Sequence, residues 1–174
     1  MKSSLAQHIR AIEDYPKAGI TFRDITPLLA DGEAFGHTIT HLAERYAEQG
    51  ITRIVGIEAR GFIFATALAY AMGVGFVPLR KPGKLPAKTI SKSYQLEYGD
   101  DALEMHVDAL SATDKVVIID DLLATGGTVL AGIELIEQAG AELHECAFII
   151  TLNDLPGVQR LNDAAIPYYT LCEF

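Results

Sequence analysis

The segment over residues 116–128 constrains the fold more than any other part of the sequence. It reads Val-Val-Ile-Ile-Asp-Asp-Leu-Leu-Ala-Thr-Gly-Gly-Thr, so an apolar run leads into two carboxylates and then into a loop rich in Thr and Gly. The apolar run predicts a buried parallel strand. A helical pattern follows the loop, with Leu130, Ile133 and Ile136 on one side. A strand, a small-residue turn and a helix in this order are typical of an α/β fold.

The turn between this strand and this helix predicts an anion-binding site. Small residues at such a turn let backbone N–H groups converge on an anion at the helix N-terminus. The two acids that precede the turn, Asp120 and Asp121, can accept hydrogen bonds from vicinal hydroxyl groups. A phosphate cradle beside two such acceptors predicts a ribose 5-phosphate site. The alternative is a tight turn with a fortuitous pair of acids, since Gly-rich turns alone are common.

Helix and strand patterns alternate along most of the chain and predict one α/β domain with a mostly parallel central sheet flanked by helices. We expect helices over residues 4–14, 33–48, 61–72, 127–139 and 157–163. We expect strands over residues 53–57, 75–79, 115–119, 145–151 and 167–171. Ligands bind beyond the carboxyl ends of the strands in such sheets. Glu58 and Arg60, after one strand, should therefore converge with Asp120 and Asp121, after another.

Two stretches interrupt the alternation. Residues 15–32 contain Pro and Gly at four positions, so we expect a loop with short extended pieces rather than a helix. Residues 80–108 are too long for an ordinary connection and look like an excursion with two strand-like arms. A long loop inside a compact domain is usually an active-site lid or disordered.

The charge distribution narrows the class of partner. The net charge of −9 argues against nucleic acid, whose binding depends on cations that meet phosphates. Five cations and no acid nevertheless lie between Arg80 and Lys92, which favours a compact polyanion such as a diphosphate over chance clustering on a solvated loop. No apolar run approaches the roughly 20 residues that cross a bilayer, and no signal peptide is recognisable. We therefore expect a cytoplasmic protein without a membrane partner.

A protein-built metal site is not expected. His37 and His41 lie four residues apart on a predicted helix, which is the spacing of two zinc ligands. However, no third ligand is apparent in the sequence, and His37 lacks the adjacent Glu of a His-Glu-x-x-His motif.

The segment over residues 116–128 resembles the 5-phosphoribosyl 1-diphosphate (PRPP) binding motif of the type I phosphoribosyltransferases: four hydrophobic residues, two acids, three variable residues and then Thr-Gly-Gly-Thr. Four other stretches resemble the adenine-specific branch of this family, over residues 22–29, 56–62, 80–86 and 94–99. The resemblance implies the type I phosphoribosyltransferase fold over residues 1–174 as a single domain. It also implies a small N-terminal hood (about residues 1–32) and a long flexible active-site loop (about residues 80–108).

The same resemblance implies an activity. The family's adenine branch transfers the 5-phosphoribosyl group of PRPP to adenine, giving AMP and diphosphate in purine salvage. It implies Mg²⁺ bound with PRPP and water rather than in a protein cage, and a homodimer with each active site near the interface. Two alternatives stay open. One is a phosphoribosyltransferase for a 6-oxopurine, particularly xanthine, since its relatives share the Glu-Ala-Arg-Gly element; the other is a non-catalytic regulator that senses PRPP.

The resemblance also assigns binding roles to individual residues. PRPP and AMP binding falls to the paired acids, the loop after them and cations from two other loops: Asp120, Asp121, Ala124, Thr125, Gly126, Gly127, Thr128, Arg60, Lys81 and Lys84. Adenine binding falls to the hood, where backbone groups of Thr21 and Arg23 read the purine edge and Phe22 packs on the ring.

Three residues are implied to be catalytic. Glu97 manages the proton at the base, and Tyr98 closes over the site. Arg60 clamps the diphosphate, because a guanidinium can grip phosphate oxygens in a bidentate fork. On the residues alone, a surface ion pair between Arg60 and Glu58 is the alternative for that side chain.

Overall fold

The structure is a computed structural model that describes residues 5–96 and 99–174, so Glu97 and Tyr98 lie outside the described residues. A 3₁₀ helix at Ala6–His8 comes first. The α-helices are α1 Thr26–Ala30, α2 Gly32–Tyr46, α3 Gly61–Met72, α4 Gly127–Gln138 and α5 Gly157–Asp163. The strands are β1 Arg10–Ile12, β2 Phe22–Asp24, β3 Arg53–Ile57, β4 Gly75–Leu79, β5 Thr89–Leu96, β6 Gly99–His106, β7 Lys115–Leu123, β8 Glu142–Thr151 and β9 Tyr168–Glu173.

Five strands form the central sheet, in the order β4-β3-β7-β8-β9, and every neighbouring pair is parallel. Consecutive side chains of β7 enter opposite faces, because strand residues alternate sides. Val117 and Ile119 belong to the apolar cluster that includes α2 and α3. Val116 and Ile118 belong to the cluster that includes α4, α5 and β6. The predicted parallel sheet with helices on both faces is therefore confirmed.

The strand order places a crevice between β3 and β7. The chain passes from β3 to β4 on one side and later returns to β7 on the other side of β3. Connections that leave two neighbouring strands in opposite directions open a crevice at their carboxyl ends, which is where open α/β sheets bind ligands. The pairing of Gly56 with Ile119 brings the residues after both strands side by side.

The predicted helix over residues 4–14 is wrong. Within the described residues 6–14 the helix is limited to the short 3₁₀ turn, and β1 follows it and pairs antiparallel with β2. Burial of Leu5 and Ile9 in the core anchors the segment. The Arg10 guanidinium then reaches across the pair to the Asp24 carboxylate, with 2.6 Å between Nη2 and Oδ2. These partners are distant in sequence, so local periodicity does not reveal them.

Two further boundaries differ from expectation. The helix α1 was not expected within residues 15–32, but its proline occupies the first turn, where the missing N–H is not needed. Strand β7 continues past residue 119 and pairs with β8 as far as Leu123. Asp120 and Asp121 therefore lie within the last part of the strand rather than after it.

The two strand-like arms predicted within residues 80–108 are an antiparallel hairpin. Strands β5 and β6 pair from Thr89 with His106 to Leu96 with Gly99. Leu103 and Met105 on β6 are fully buried in the cluster that covers α4. One arm of this excursion is thus part of the core, and the mobility of the segment stays a prediction.

No helix in the described part of the chain is long and apolar enough to cross a bilayer. The longest of them, α2, has 15 residues.

Packing of α4 on the sheet depends on Gly132, and this gives a test of the fold. A methyl group at this position would lie 2.9 Å from Leu79 Cδ1. We expect Gly132→Ala to lower the free energy of unfolding by about 1–3 kcal/mol, because overpacking forces the buried neighbours to shift. Urea denaturation measures this. Gly36→Ala in α2 is the control: nothing lies within 4 Å of its added methyl group, so it should be neutral or raise stability by about 0.5–1 kcal/mol. Equal stabilities of both variants would contradict the packing argument.

Candidate active site

Two adjoining cavities lie at the carboxyl edge of the sheet, beside the crevice between β3 and β7. The larger, of about 300 Å³, is lined by Ile57, Glu58, Ala59, Arg60, Lys81, Asp120, Asp121, Leu122 and Thr128. The smaller, of about 70 Å³, is lined partly by Ala124, Thr125 and Gly126 at the start of α4. Asp120, Leu122 and Thr128 line both cavities. The structure therefore brings the residues after β3 together with those at the end of β7, as the sequence predicts.

The loop before α4 forms the smaller cavity, and α5 holds it in place. Gly126 occupies the N-cap position with φ 83°, a left-handed conformation that favours glycine. Because Gly126 has no side chain, the first N–H groups of α4 are left uncapped and can meet an anion. The N–H of Gly157 donates to Ala124 O at 2.9 Å, and Arg160 Nη1 donates to Thr125 O at 3.0 Å.

Gly157 is required for this close approach between the loop and α5. A Cβ at this position would lie 2.4 Å from the carbonyl oxygen of Ala124. The sequence analysis did not identify Gly157 or Arg160, since both lie some 30 residues beyond the motif and act on its backbone.

The two acids of the motif have different environments. The buried Asp121 carboxylate accepts a hydrogen bond from Arg60 Nε, so a cation compensates its charge. Asp120 accepts from the N–H of Asp121 at 2.9 Å through Oδ1. Burial of the Asp120 carboxyl, with the neighbouring charge of Asp121, raises its pKa well above the ordinary range. An additional cation beside Asp120 would relieve this repulsion.

The alternative ion pair between Arg60 and Glu58 does not form. Glu58 instead accepts from Arg80 Nε at 3.1 Å and from Arg80 Nη2 at 3.3 Å. It also accepts from the N–H of Lys81 at 2.9 Å. Burial would raise the pKa of Glu58, but the hydrogen bonds from Arg80 and Lys81 outweigh it and lower that pKa. Glu58 is therefore ionised and links the ends of β3 and β4, whereas Arg60 pairs with Asp121.

The basic stretch after β4 contributes one cation to the larger cavity. Lys81 lines the cavity, and its Nζ donates to Tyr94 Oη at 2.7 Å and to the Asp101 carboxylate. Lys84 is exposed, and the structure does not bring its side chain among the lining residues of the cavity. The sequence analysis missed Asp101, because its place opposite Tyr94 depends on the register of the hairpin.

The predicted adenine-binding residues lie beside the site. The Phe22 ring is 5.7 Å from the Arg60 guanidinium carbon and contacts Tyr15 edge-on. The Arg23 side chain turns elsewhere, with its guanidinium 3.9 Å from the ring centroid of Phe174. Its Nε is buried without a hydrogen-bond partner among the described residues. Thr21 is exposed, and the reading of a ligand edge by the backbone groups of Thr21 and Arg23 stays a prediction.

Among the described residues, no three His, Cys, Asp or Glu side chains are arranged so that they could hold a metal ion. His41 Nε2 is instead hydrogen-bonded to Tyr169 Oη at 2.6 Å.

The contrast between the two acids predicts opposite effects of their amides on the ligand-free protein. The pKa of Asp120 is raised on folding, so its contribution to stability is present below the unfolded pKa and is lost as the pH rises through the folded pKa. Asp120→Asn should therefore raise the free energy of unfolding near pH 8 by on the order of 1 kcal/mol, and this gain should shrink as the pH falls toward the unfolded pKa of about 4.

Asp121→Asn is the matched control, since it removes the carboxylate that Arg60 binds. It should leave stability unchanged or lower it by up to about 1 kcal/mol, because Arg60 is half-exposed. Urea denaturation of both variants between about pH 4 and pH 8 makes the comparison. Similar destabilisation by both amides would show that the two environments do not differ as described.

Comparison with known proteins indicates the family in which this arrangement occurs. Residues 28–167 match the family described as the phosphoribosyl transferase domain. The adenine phosphoribosyltransferase of Shewanella halifaxensis is 57% identical over 95% of this chain and 91% of its own. The crystal structure of the enzyme of that name from Thermoanaerobacter pseudethanolicus has a TM-score of 0.94 and 46% identity, covering 100% of both chains. The Saccharomyces cerevisiae enzyme, crystallised with an imino-altritol bisphosphate and adenine, has a TM-score of 0.91 and 40% identity, covering 98% of this chain and 97% of its own.

Proposed function

The chain belongs to the adenine phosphoribosyltransferase family, and we propose that it transfers the 5-phosphoribosyl group of PRPP to adenine, giving AMP and diphosphate in purine salvage. One observation carries the proposal: an uncapped helix N-terminus and a pair of adjacent acids, one of them buried and bound to an arginine, line two adjoining cavities. A phosphate and an adjacent ribose need these two environments side by side. The yeast relative holds adenine together with a bisphosphate sugar analogue.

PRPP fits the two cavities in one direction. The 5-phosphate lies in the smaller cavity, against the N–H groups and hydroxyls of residues 124–128. The ribose hydroxyls donate to Asp120 and Asp121. The diphosphate lies in the larger cavity, where Arg60 and Lys81 supply positive charge. Lys84, exposed three residues further along the same loop, supplies a further cation.

Mg²⁺ is expected to enter with PRPP. The residues fit such a cation, because the Asp120 carboxyl is buried beside a second acid and its pKa is raised in consequence. Mg²⁺ usually keeps several waters and is held through phosphate oxygens with one or two carboxylates. Asp120 is the residue that would contribute to its binding here. When bound, the cation supplies neutralisation of the charge on the diphosphate oxygens.

The residues of the chain then have two tasks during the reaction. Arg60 and Lys81 hold the diphosphate oxygens, on which negative charge develops as the bond to the anomeric carbon breaks. Phe22 packs on adenine, and the backbone of Thr21 and Arg23 reads its edge, which aligns N9 with the anomeric carbon. Positive character develops on the purine as N9 attacks. A carboxylate near N7, assigned to Glu97, accepts a proton or offsets that charge, and Tyr98 closes over the base.

The two alternative functions are not favoured. The matching relatives cover nearly the whole chain and are named as adenine enzymes rather than as enzymes for a 6-oxopurine. The same relatives are named as transferases, which counts against a regulator that only senses PRPP.

We also infer a cytoplasmic homodimer. Ile63 and Tyr70 are exposed apolar side chains seven residues apart on α3, so they share one face of the helix that begins beside Arg60. An apolar face at the edge of the site supports a subunit contact there. Cys146 and Cys172 are both buried and reduced, which supports a reducing compartment.

Release of diphosphate from PRPP, assayed with adenine, hypoxanthine, guanine and xanthine in turn, tests the function. We expect adenine to be preferred by about a thousandfold or more in kcat/KM, since a site built for one purine edge leaves polar groups unpaired when donors and acceptors are exchanged. Turnover of xanthine equal to that of adenine would move the assignment to the 6-oxopurine enzymes.

The role of Glu97 has its own test. Glu97→Gln keeps the size of the side chain and removes its charge, so kcat should fall by about a hundredfold or more, the scale of general acid–base catalysis. The KM for PRPP should change much less, because the diphosphate and phosphate contacts are made elsewhere. Asp100→Asn, which removes an exposed acid on the same hairpin, should leave kcat unchanged. Full kcat in Glu97→Gln would remove this residue from the mechanism.

A further inference from the structure

The ammonium group of Lys81 is held by the hairpin of β5 and β6. Its Nζ donates to the Asp101 carboxylate and, at 2.7 Å, to Tyr94 Oη. Tyr94 Oη in turn donates to Asp101 Oδ2 at 3.2 Å, which closes a triangle of three polar groups. Lys81 follows β4, whereas its two partners lie on a separate excursion of the chain. The triangle therefore joins the loop of the larger cavity to the hairpin.

The register of the hairpin builds this contact. Tyr94 and Asp101 are directly opposite each other in the β5–β6 pair. Asp101 has the same strand parity as Leu103 and Met105, so it lies on the face of β6 that enters the core. Its second oxygen, Oδ1, accepts from the N–H of Ala102 at 2.8 Å. The carboxylate is thus oriented by its own strand rather than placed by a chance surface contact.

Both members of the ion pair are charged. Burial would lower the pKa of Lys81, but the hydrogen bonds with Asp101 and Tyr94 outweigh it and raise that pKa. Burial would likewise raise the pKa of Asp101, and the hydrogen bond from Lys81 reverses the shift. The side chains keep 35% and 28% of their exposure, respectively. An ion pair this accessible is only weakly favourable, so an incoming polyanion can exchange with it.

We propose that Asp101 is a built-in competitor of the diphosphate for Lys81, and that the Tyr94 hydroxyl strengthens this ion pair by binding both partners. In the free enzyme the Asp101 carboxylate is bound to the ammonium group of Lys81, a residue that lines the larger cavity. When diphosphate binds, its oxygens take the place of the carboxylate. This inference rests on the proposed function, which puts the diphosphate beside Lys81. The exchange serves turnover, because interactions that hold the leaving group equally well before and after reaction do not speed the chemical step and slow release of the product.

The inference predicts a gain of affinity on loss of a carboxylate. Asp101→Asn is isosteric and should bind inorganic diphosphate about two- to fivefold more tightly, the factor expected for a half-exposed ion pair. Isothermal titration with diphosphate and Mg²⁺ measures the binding. The KM for PRPP should fall by a similar factor, and kcat should not rise. A purely structural role of Asp101 predicts the opposite sign, since a misplaced Lys81 would weaken binding.

Two controls separate the exchange from general charge effects. Asp100→Asn removes the same charge from the adjacent, exposed position on the other face of β6 and should leave diphosphate affinity unchanged. Tyr94→Phe keeps the partly buried ring packed against the core and removes the hydroxyl that binds both partners. It should shift diphosphate affinity in the same direction as Asp101→Asn by about twofold or less, and it tests the inference even if Asp101→Asn folds poorly.

Lys81→Gln distinguishes failure of this inference from failure of the proposed function. Diphosphate affinity should fall in Lys81→Gln, and Asp101→Asn should then have no effect in that background. If Lys81→Gln binds diphosphate as well as the native chain, the placement of the leaving group beside Lys81 is wrong. If Lys81→Gln binds weakly but Asp101→Asn alone binds no more tightly than the native chain, the competition is wrong and the proposed function stands.

Discussion

The parallel pairing of β3 with β7 is the constraint on which the site depends. It brings the residues that follow Gly56 beside those that follow Ile119. The ion pair of Arg60 with Asp121 then joins these two segments. Gly61 permits this approach, because a Cβ there would lie 2.8 Å from an Asp120 carboxylate oxygen. A larger residue would push α3 away from β7 and separate the cation from its partner. The pairing of β3 with β7 therefore positions the cavities, the two acids and the start of α4.

Charge compensation within the free protein follows from the same arrangement. Three cations near the larger cavity, Arg60, Arg80 and Lys81, each bind a carboxylate of the chain. With a net charge of −9, the protein repels polyanions at long range. Affinity for PRPP must therefore arise from directed contacts at short range rather than from a strongly positive surface. Such a site can hold a substrate in one orientation and still release a charged product.

Local pattern was sufficient for much of the fold. The helix over residues 61–72 was predicted at its observed bounds, because its apolar run ends at Gly73, which takes the left-handed conformation of a helix C-cap. The N-terminal segment was mispredicted because its structure depends on a distant partner. Arg10 binds Asp24 fourteen residues away, and β1 exists only as the partner of β2. Periodicity within a window has no access to such a pairing.

The same distinction separates the predictable part of the site from the rest. The acids and the Gly-rich turn lie in one continuous motif, so their proximity is encoded locally and indicates a class of ligand. The partners of the cations are not local: Arg60 is two residues from Glu58 but binds Asp121, 61 residues away. Asp101 becomes a partner of Lys81 only once the register of the hairpin is known. The motif therefore indicates what the site binds, whereas the strength with which it holds and releases a polyanion depends on ion pairs that the tertiary fold creates.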